Sequence, residues 1–156
     1  MIKTVIMGTG RMGSLIRTTA EGIVDAAGKP VFDIVAQIGF DLSELENAPA
    51  ADVIIDFSNV ATFDAVVAYV ERTGAALVSG TTGYSPEQMD RLRELGQNTR
   101  VMHSGNFSIG IAALRHLVAQ ATRELPGFDC EIVETHHNQK VDACLLYSSP
   151  SPRDRG

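Results

Sequence analysis

The segment IKTVIMGTGRMG at residues 2–13 decides the fold of this chain. Its first half, Ile2–Met7, is a short apolar run that stops at a glycine, which is typical of a buried parallel strand. Three glycines with the spacing Gly-x-Gly-x-x-Gly follow, and a helix is predicted from about Met12 to Ala27. A strand, a glycine turn and a helix in direct succession are typical of a turn that binds a dinucleotide.

Each glycine of this turn has a physical role. Gly8 permits the tight turn, Gly10 lets the backbone approach a pyrophosphate, and Gly13 allows the helix to pack closely on the strand. The free N–H groups and the dipole of the helix then favour an anion. A glycine-rich turn without a ligand is the alternative, and the position between a strand and a helix argues against it.

The next 90 residues continue the alternation of strands and helices. Ser85, Pro86 and Gln88 form a capping-box helix start, and that helix is predicted to run to about Leu95. Another helix begins near Val60. Further strands are predicted at Phe32–Gln37, Asp52–Phe57, Ala76–Ser79 and Arg100–His103. We therefore predict an α/β fold, a doubly wound parallel sheet of the Rossmann type with right-handed crossovers.

The pattern changes after residue 107. A long apolar stripe predicts a helix that ends at Pro126, and Asp129–His136 is predicted to be a strand. We assign residues 1–107 to a dinucleotide-binding domain and 108–143 to the start of a second domain. Residues 144–156 end in a stretch with neither apolar residues nor periodicity, which predicts a flexible tail.

The composition excludes several classes of partner. The net charge of −6 argues against nucleic acid, and the longest apolar runs are too short to span a membrane. Cys130 and Cys144 show no Cys-x-x-Cys spacing, so we expect a reduced, cytoplasmic chain without a metal site.

Two further loops are predicted to lie at the carboxyl edge of the sheet, where ligands of this architecture bind. Gly80-Thr81-Thr82-Gly83 follows the fourth strand and Ser104-Gly105-Asn106-Phe107 the fifth. The small hydroxyl residues between glycines suit close approach to a nicotinamide ribose. Ordinary turns with favourable turn residues are the alternative for either loop taken alone.

The residue expected to meet the adenosine ribose is Gln37, at the end of the second strand. It can hydrogen-bond a 2′-hydroxyl, but it has no charge to repel a 2′-phosphate, and no arginine is expected beside it to select that phosphate. The choice between NADH and NADPH stays open.

The segment ETHHNQKVDA at residues 134–143 places two imidazoles and an ammonium close together. Such cations repel one another unless an anion is bound, which favours a functional site for an anionic substrate. Because neighbours in a strand point to opposite faces, His136 and His137 should have different roles, and Lys140 completes the cluster. His103 and His116 are assigned no role.

Five motifs, in this order, resemble the dihydrodipicolinate reductase (4-hydroxy-tetrahydrodipicolinate reductase) family of bacterial lysine and diaminopimelate biosynthesis. The matching segments cover about residues 1–143. They are Gly10–Gly13, Asp56–Ser58, Gly80–Gly83, Asn106–Gly110, and Glu134–His137 with Lys140–Ala143.

The resemblance implies an NAD(P)H-dependent oxidoreductase that acts on a small dicarboxylate and assembles as a homotetramer. It also implies that residues 108–143 are the incomplete start of a mixed α/β substrate and tetramerisation domain. It implies His136 as the proton donor and acceptor, Lys140 as a second donor and His137 as a ligand of a substrate carboxylate. The expected cofactor contacts are Gly8, Thr9, Gly10, Arg11, Met12, Gly13, Gly80, Thr81, Thr82, Ser104, Gly105, Asn106 and Phe107.

The chain also departs from the family. Its glycine turn is one residue shorter than the common form, and Ala143 is followed by Cys144-Leu145-Leu146 instead of Pro-Ser-Gly-Thr, whose backbone and threonine hold a carboxylate in the family. The tail resembles translated adaptor sequence, so we expect a truncated gene and an inactive 156-residue chain. Assembly of such a chain stays open. The alternatives are another small NAD(P)-dependent oxidoreductase and a non-catalytic NAD(P)-sensing module.

Overall fold

A computed structural model of the protein describes residues 1–129, 131 and 133. Within them the chain alternates between short strands and helices. In order, these are β1 (Ile2–Met7), α1 (Arg11–Gly22), β2 (Phe32–Ile38), α2 (Leu42–Glu46), β3 (Val53–Asp56), a 3-10 turn (Val60–Thr62), α3 (Phe63–Thr73), β4 (Ala76–Ser79), α4 (Pro86–Asn98), β5 (Val101–His103) and α5 (Ile109–Glu124).

The five strands form one parallel sheet in the order β2-β1-β3-β4-β5. Between β1 and β3 the order reverses, because α1 leads away to β2 on one side and the next crossover returns to β3 on the other. Ligands of open α/β sheets bind in the crevice outside the carboxyl ends of the strands at such a switch point. The predicted Rossmann-type parallel sheet is confirmed.

Helices pack on both faces of the sheet. Val5 and Met7 of β1 lie in the main apolar core, together with buried residues of α2, α3 and α4. Ile6 between them is fully buried but outside that core, and because strand residues alternate it lies on the opposite face. α1 contacts β1 and β2. The second face is less well covered beyond β1, since Ile55 and Val78 are half-buried and Met102 is 56% exposed.

The predicted start of α4 is confirmed in detail. Ser85 Oγ accepts a hydrogen bond from the Gln88 N–H at 3.2 Å, and the Gln88 side chain accepts one from the Ser85 N–H at 3.0 Å. Pro86 occupies the first turn, where its missing N–H costs nothing. Leu92 and Leu95 then bury the apolar side of the helix.

Helix α1 ends five residues earlier than predicted, at Gly22 instead of Ala27. The reason is a tight reversal between the helix and β2. The Asp25 carboxylate accepts from the N–H groups of Ala27 and Lys29 at 2.8 and 2.9 Å, and Gly28 adopts a positive φ of 76°. The reversal pairs Val24 with Pro30 as an isolated antiparallel bridge.

Two other differences from the sequence-based prediction concern short or late segments. The five-residue helix α2, capped by Asp41, was not predicted. In the predicted strand Asp129–His136, the described residues Asp129, Glu131 and Val133 are not in a strand, and the other residues lie outside the described part.

The chain divides into two compact units, Met1–Gly105 and residues 106–156. The described part of the second unit consists mainly of α5, which begins at the Ser108 cap and buries none of its side chains. Of its predicted apolar stripe, Ile111 and Val118 are half-buried and Leu114 is 43% exposed. Leu125, just after the helix, is 50% exposed. Among the described residues, no helix is long and apolar enough to cross a bilayer.

At two positions of the glycine turn, Gly8 and Gly13, close contacts leave no room for a side chain. Gly8 has a φ of 119°, and a Cβ there would lie 2.6 Å from the Phe57 carbonyl oxygen. A Cβ on Gly13 would lie 2.0 Å from the carbonyl oxygen of Gly8. The first turn of α1 therefore rests directly on the backbone of the loop that precedes it.

This packing predicts opposite effects for one substitution at two positions of the same helix. Gly13→Ala should destabilise the protein by about 1–3 kcal/mol, because its Cβ meets rigid backbone. Gly22→Ala has open space around it and should stabilise by up to about 1 kcal/mol. Urea unfolding followed by circular dichroism measures both. Equal effects of the two substitutions would contradict the close packing at Gly13.

Candidate functional site

The first turn of α1 is built as an uncapped helix terminus. Gly10 is the N-cap residue, with φ −71° and ψ −170°, and no side chain caps the helix there. The first turn contains no acidic residue, and Arg11 stands at its first position. A Cβ on Gly10 would have nothing within 4 Å. The N–H groups and the positive end of the helix dipole are therefore available to an anion.

The loop after β3 lies beside this turn. The Phe57 N–H donates to the Met7 carbonyl at 3.0 Å, so the backbone leaves β3 alongside the end of β1. The Phe57 ring then covers Gly80, where a Cβ would lie 2.2 Å from the ring. These contacts bring the loops after β1, β3 and β4 together at the carboxyl edge of the sheet.

A buried carboxylate joins the ends of β3 and β4. Asp56 is 0% exposed. Its Oδ1 accepts from the Ser58 hydroxyl at 2.5 Å and from the Ser58 N–H at 3.2 Å. Its Oδ2 accepts from the Tyr84 hydroxyl at 3.0 Å and from the Ser79 hydroxyl at 3.3 Å. A carboxylate this deep is tolerated because both oxygens have donors.

Tyr84 belongs to this network, although no motif in the sequence pointed to it. Its burial, together with the negative charge of Asp56, raises the pKa of the phenol to about 12, although the hydrogen bond with Ser79 opposes the shift. Its ring contacts Phe63 edge-on at 5.0 Å and His103 at 5.1 Å. The phenol thus remains a donor to Asp56 at neutral pH.

Hydrogen bonds and close contacts connect the loops after β3, β4 and β5. The Ser58 N–H donates to the Thr81 hydroxyl at 3.0 Å, which holds the buried Thr81 against the loop after β3. The Ser104 N–H donates to the Ser79 carbonyl at 3.1 Å. A Cβ on Gly105 would lie 3.8 Å from the Thr82 methyl group. The residues predicted at these loops within the first unit therefore lie side by side.

The structure corrects the expectation that no arginine stands beside Gln37. Arg17, twenty residues earlier on α1, donates from Nη1 to Oε1 of Gln37 at 3.3 Å. The Gln37 amide group in turn donates to the Gly8 carbonyl at 3.0 Å. The end of β2, the glycine turn and α1 thus meet through one neutral side chain and one cation.

The remaining predicted residues fall elsewhere. Asn106 and Phe107 belong to the second unit, where the Asn106 side chain accepts from the Ser108 N–H at 2.7 Å and Phe107 is 40% exposed. The described residues do not include the predicted substrate cluster of His136, His137 and Lys140. They also do not include the two cysteines, Cys130 and Cys144, or the tail at residues 144–156. His116 lies on α5 and is exposed.

Two cavities lie against α4. One of about 490 Å³ lies between the ends of α3 and α4 and is lined by Glu71 and Arg91. Another of about 340 Å³ lies against α4 and includes His103. Within the described part of the chain, Nδ1 of His103 is the one buried side-chain polar atom without a hydrogen-bond partner. Neither cavity is lined by the glycine turn.

The sequence from residue 2 to residue 107 matches the family model described as dihydrodipicolinate reductase, N-terminus. The matched span contains the glycine turn, Asp56 and the loops after β4 and β5. The chain belongs to the dihydrodipicolinate reductase family.

Curated relatives carry the same family name. The 4-hydroxy-tetrahydrodipicolinate reductase of Stenotrophomonas maltophilia is 42% identical over 144 residues, covering 86% of this chain and 60% of the relative. The enzyme of that name from Xanthomonas axonopodis pv. citri is 42% identical over 151 residues, covering 91% and 63%. The chain thus spans 60–63% of the length of these relatives.

Solved structures agree on the fold. Dipicolinate-bound dihydrodipicolinate reductase from Paenisporosarcina sp. TG-14 aligns with a TM-score of 0.66 at 24% identity, covering 99% of this chain and 63% of that one. Scyllo-inositol dehydrogenase from Lactobacillus casei, solved with NAD(H) and scyllo-inositol, aligns with a TM-score of 0.52 at 15% identity over 78% of this chain and 42% of that one. At these identities the likeness shows the α/β architecture.

The Asp56 network predicts different costs for removing two tyrosine hydroxyls. Tyr84→Phe takes a donor from a carboxylate and should cost about 1.5–3 kcal/mol of unfolding free energy at pH 7. Tyr69→Phe is the matched control, because its hydroxyl donates to the neutral Pro49 carbonyl at 2.8 Å and should cost about 0.5–1.5 kcal/mol. Urea unfolding compares them, and a Tyr84→Phe cost no larger than that of the control would contradict the role of Asp56.

The pKa of Tyr84 adds a pH dependence to this prediction. The folded phenol keeps its proton up to about 12, whereas an unfolded tyrosine loses it near 10. Because the folded state binds more protons over this interval, unfolding becomes easier as pH rises through it. Tyr84→Phe should therefore show a shallower loss of stability than the wild type between about pH 10 and pH 12.

Proposed function

We propose that the complete protein to which these residues belong reduces 4-hydroxy-tetrahydrodipicolinate to tetrahydrodipicolinate with NADH or NADPH, in lysine and diaminopimelate biosynthesis. The carrying observation is that the family match over residues 2–107 coincides with one crevice. There the uncapped start of α1 lies beside the loops after β3 and β4. The identity of 42% to reductases of that name supports the substrate.

The crevice suits a dinucleotide, and the proposal divides its residues by cofactor part. The N–H groups after Gly10, with Arg11, would hold the pyrophosphate, because they have no competing cap. The other residues of this turn proposed to contact the cofactor are Thr9, Met12 and Gly13. The loops after β4 and β5 would face the nicotinamide half through Gly80, Thr81, Thr82, Ser104 and Gly105. Asn106 and Phe107 are proposed to contact the same half, by the family resemblance.

The proposed chemistry needs a proton as well as a hydride. The 4-hydroxyl group of the substrate would leave as water to give a cyclic unsaturated imine dicarboxylate, to which the reduced nicotinamide, when bound, supplies the hydride. His136 or Lys140 would supply the proton that completes the reduction, and His137 and Lys140 would offset the substrate carboxylates. These three roles rest on the family resemblance of the segment at residues 134–143.

The proposal includes the cellular setting and the assembly. The use of cysteine in the sequence, with two residues and no Cys-x-x-Cys spacing, fits a reducing cytoplasm. The resemblance implies a homotetramer for the complete protein. Size-exclusion chromatography with light scattering measures that assembly directly.

Cofactor binding at the glycine turn is tested by one added charge. Gly10→Asp and Gly10→Asn both introduce good N-cap residues into open space, so both should keep or raise stability. Only the aspartate places a carboxylate beside the pyrophosphate. We expect Gly10→Asp to bind NADPH and NADH about tenfold or more weakly than Gly10→Asn, measured by cofactor fluorescence. Affinities of both variants equal to that of the wild type would show that the pyrophosphate does not bind at this turn.

Catalytic roles are tested by steady-state kinetics in the complete protein. His136→Gln and Lys140→Ala should lower kcat by roughly 10²–10⁴, the usual range for general acid–base groups. His137→Gln should chiefly raise KM, because a carboxylate ligand contributes to binding of ground state and transition state alike. An unchanged kcat in Lys140→Ala would refute its role as a proton donor. Cofactor binding without any reduction of the substrate in the wild type would favour a sensing module.

A further inference from the structure

The subsite for the adenosine ribose of a dinucleotide lies at the end of β2. In folds of this kind a carboxylate there binds the 2′-hydroxyl of NAD, whereas a nearby arginine accommodates the 2′-phosphate of NADP. Gln37 is the next-to-last residue of β2 and is paired with Ile6 of β1. The position therefore carries a neutral amide in place of the carboxylate.

Two partners fix the orientation of that amide. The Gly8 carbonyl can only accept a hydrogen bond, so the NH₂ group of Gln37 must face it, at 3.0 Å. The amide oxygen is consequently turned toward Arg17, whose Nη1 donates to it at 3.3 Å. Among the described residues, the hydrogen-bond partners of the Gln37 side chain are these two, and neither is acidic.

Arg17 is placed and exposed in a way that suits an incoming phosphate. Side chains on a helix lean toward its N-terminus, which directs Arg17 of α1 toward the glycine turn. Its Nε donates to Glu21 at 2.8 Å, but both side chains are about half exposed, at 45% and 51%. An exposed pair of this kind is weak, so Glu21 holds the guanidinium only loosely. A phosphate dianion offers a stronger, bidentate partner.

The nearest acidic residue after β2 is otherwise engaged. Asp41 caps α2, and its Oδ1 accepts from the Ser43 N–H at 3.0 Å and from the Ser43 hydroxyl at 2.6 Å. These two hydrogen bonds lower the pKa of Asp41. They occupy the carboxylate within its own loop, so it does not replace the missing acid at residue 37.

We infer that Gln37 and Arg17 form a subsite for a 2′-phosphate, so that this chain binds NADPH more tightly than NADH. The inference rests on the dinucleotide site of the proposed function and assigns its specificity to two residues. Gln37 contributes by the absence of a negative charge and by holding the guanidinium, and Arg17 contributes the cation.

Binding measurements on the 156-residue chain test this inference without any turnover. Isothermal titration calorimetry would compare NADPH and NADH on the wild type, on Arg17→Gln and on the control Arg93→Gln. Arg93 is an exposed arginine on α4 that makes an i,i+3 pair with Asp90, so its loss changes the net charge equally. We expect Arg17→Gln to weaken the binding of NADPH by about tenfold and that of NADH by less than about twofold. The control Arg93→Gln should change neither affinity.

A second variant reverses the preference by adding the missing charge. The carboxylate introduced by Gln37→Glu should attract Arg17 and repel a 2′-phosphate. The affinity for NADPH should therefore fall by about tenfold or more, while NADH binds at least as tightly as to the wild type. The wild-type preference should also shrink at high salt, because the contact is exposed to solvent.

The outcomes separate this inference from the proposed function. If neither cofactor binds the wild type, both the dinucleotide site and its specificity are wrong. If both bind but NADH binds as tightly as NADPH, or if Arg17→Gln weakens both equally, the dinucleotide site stands and the inference is overturned. Thermal unfolding of each variant without cofactor shows whether a loss of affinity reflects a loss of folding.

Discussion

The carboxylate of Asp56, fully buried at the end of β3, is the interaction on which the architecture of the crevice depends. A carboxylate in this position costs several kcal/mol unless donors replace the lost water, and here four hydrogen bonds do so. The donors come from Ser58, Ser79 and Tyr84, which stand after β3, at the end of β4 and before α4. Satisfying one charge therefore fixes three segments of the loop edge against one another.

The glycine turn is fixed by a different means, steric exclusion. Gly13 and Gly8 bring α1 and β1 into contact through backbone atoms alone, and Gly8 approaches the Phe57 carbonyl in the same way. Backbone contacts of this kind leave few alternative arrangements, so the start of α1 is directed into the crevice before any ligand arrives. A site that is already ordered binds without a further cost for ordering its loops. The buried acid and the glycines thus order neighbouring loops at the carboxyl edge of the sheet.

The parts of the fold that depend on local chemistry could be predicted from the sequence. The strand β4 has its predicted bounds, Ala76–Ser79, because it is a short apolar run between turn residues. The capping box of Ser85 could be predicted because its signature lies within four residues of the sequence. The predicted end of α1 lies five residues too far along the chain. The apolar pattern persists through Ile23 and Val24, whereas the turn made by Asp25 and Gly28 stops the helix.

Contacts between distant segments were beyond sequence reasoning. Tyr84 and Asp56 are 28 residues apart, and Arg17 and Gln37 are 20 residues apart. No periodicity links such pairs, because only the strand order places their side chains together. The expectation that no arginine stands beside Gln37 was wrong for this reason, since it considered neighbours along the chain. The glycine turn could be recognised because the spacing of its three glycines lies within six residues, Gly8–Gly13.

An acidic chain that is proposed to bind a strongly anionic cofactor has to do so through local geometry. The net charge of −6 acts weakly at the crevice, because exposed charges more than about 8 Å away are largely screened at physiological ionic strength. Arg11 and Arg17 stand on the same helix, about 9 Å apart along its axis. That spacing separates a cation at the uncapped helix terminus from one at the end of β2. A dinucleotide with a pyrophosphate and a 2′-phosphate carries its negative charges in two separate groups. The distribution of positive charge along α1 therefore matters more for binding than the sum of charges over the chain.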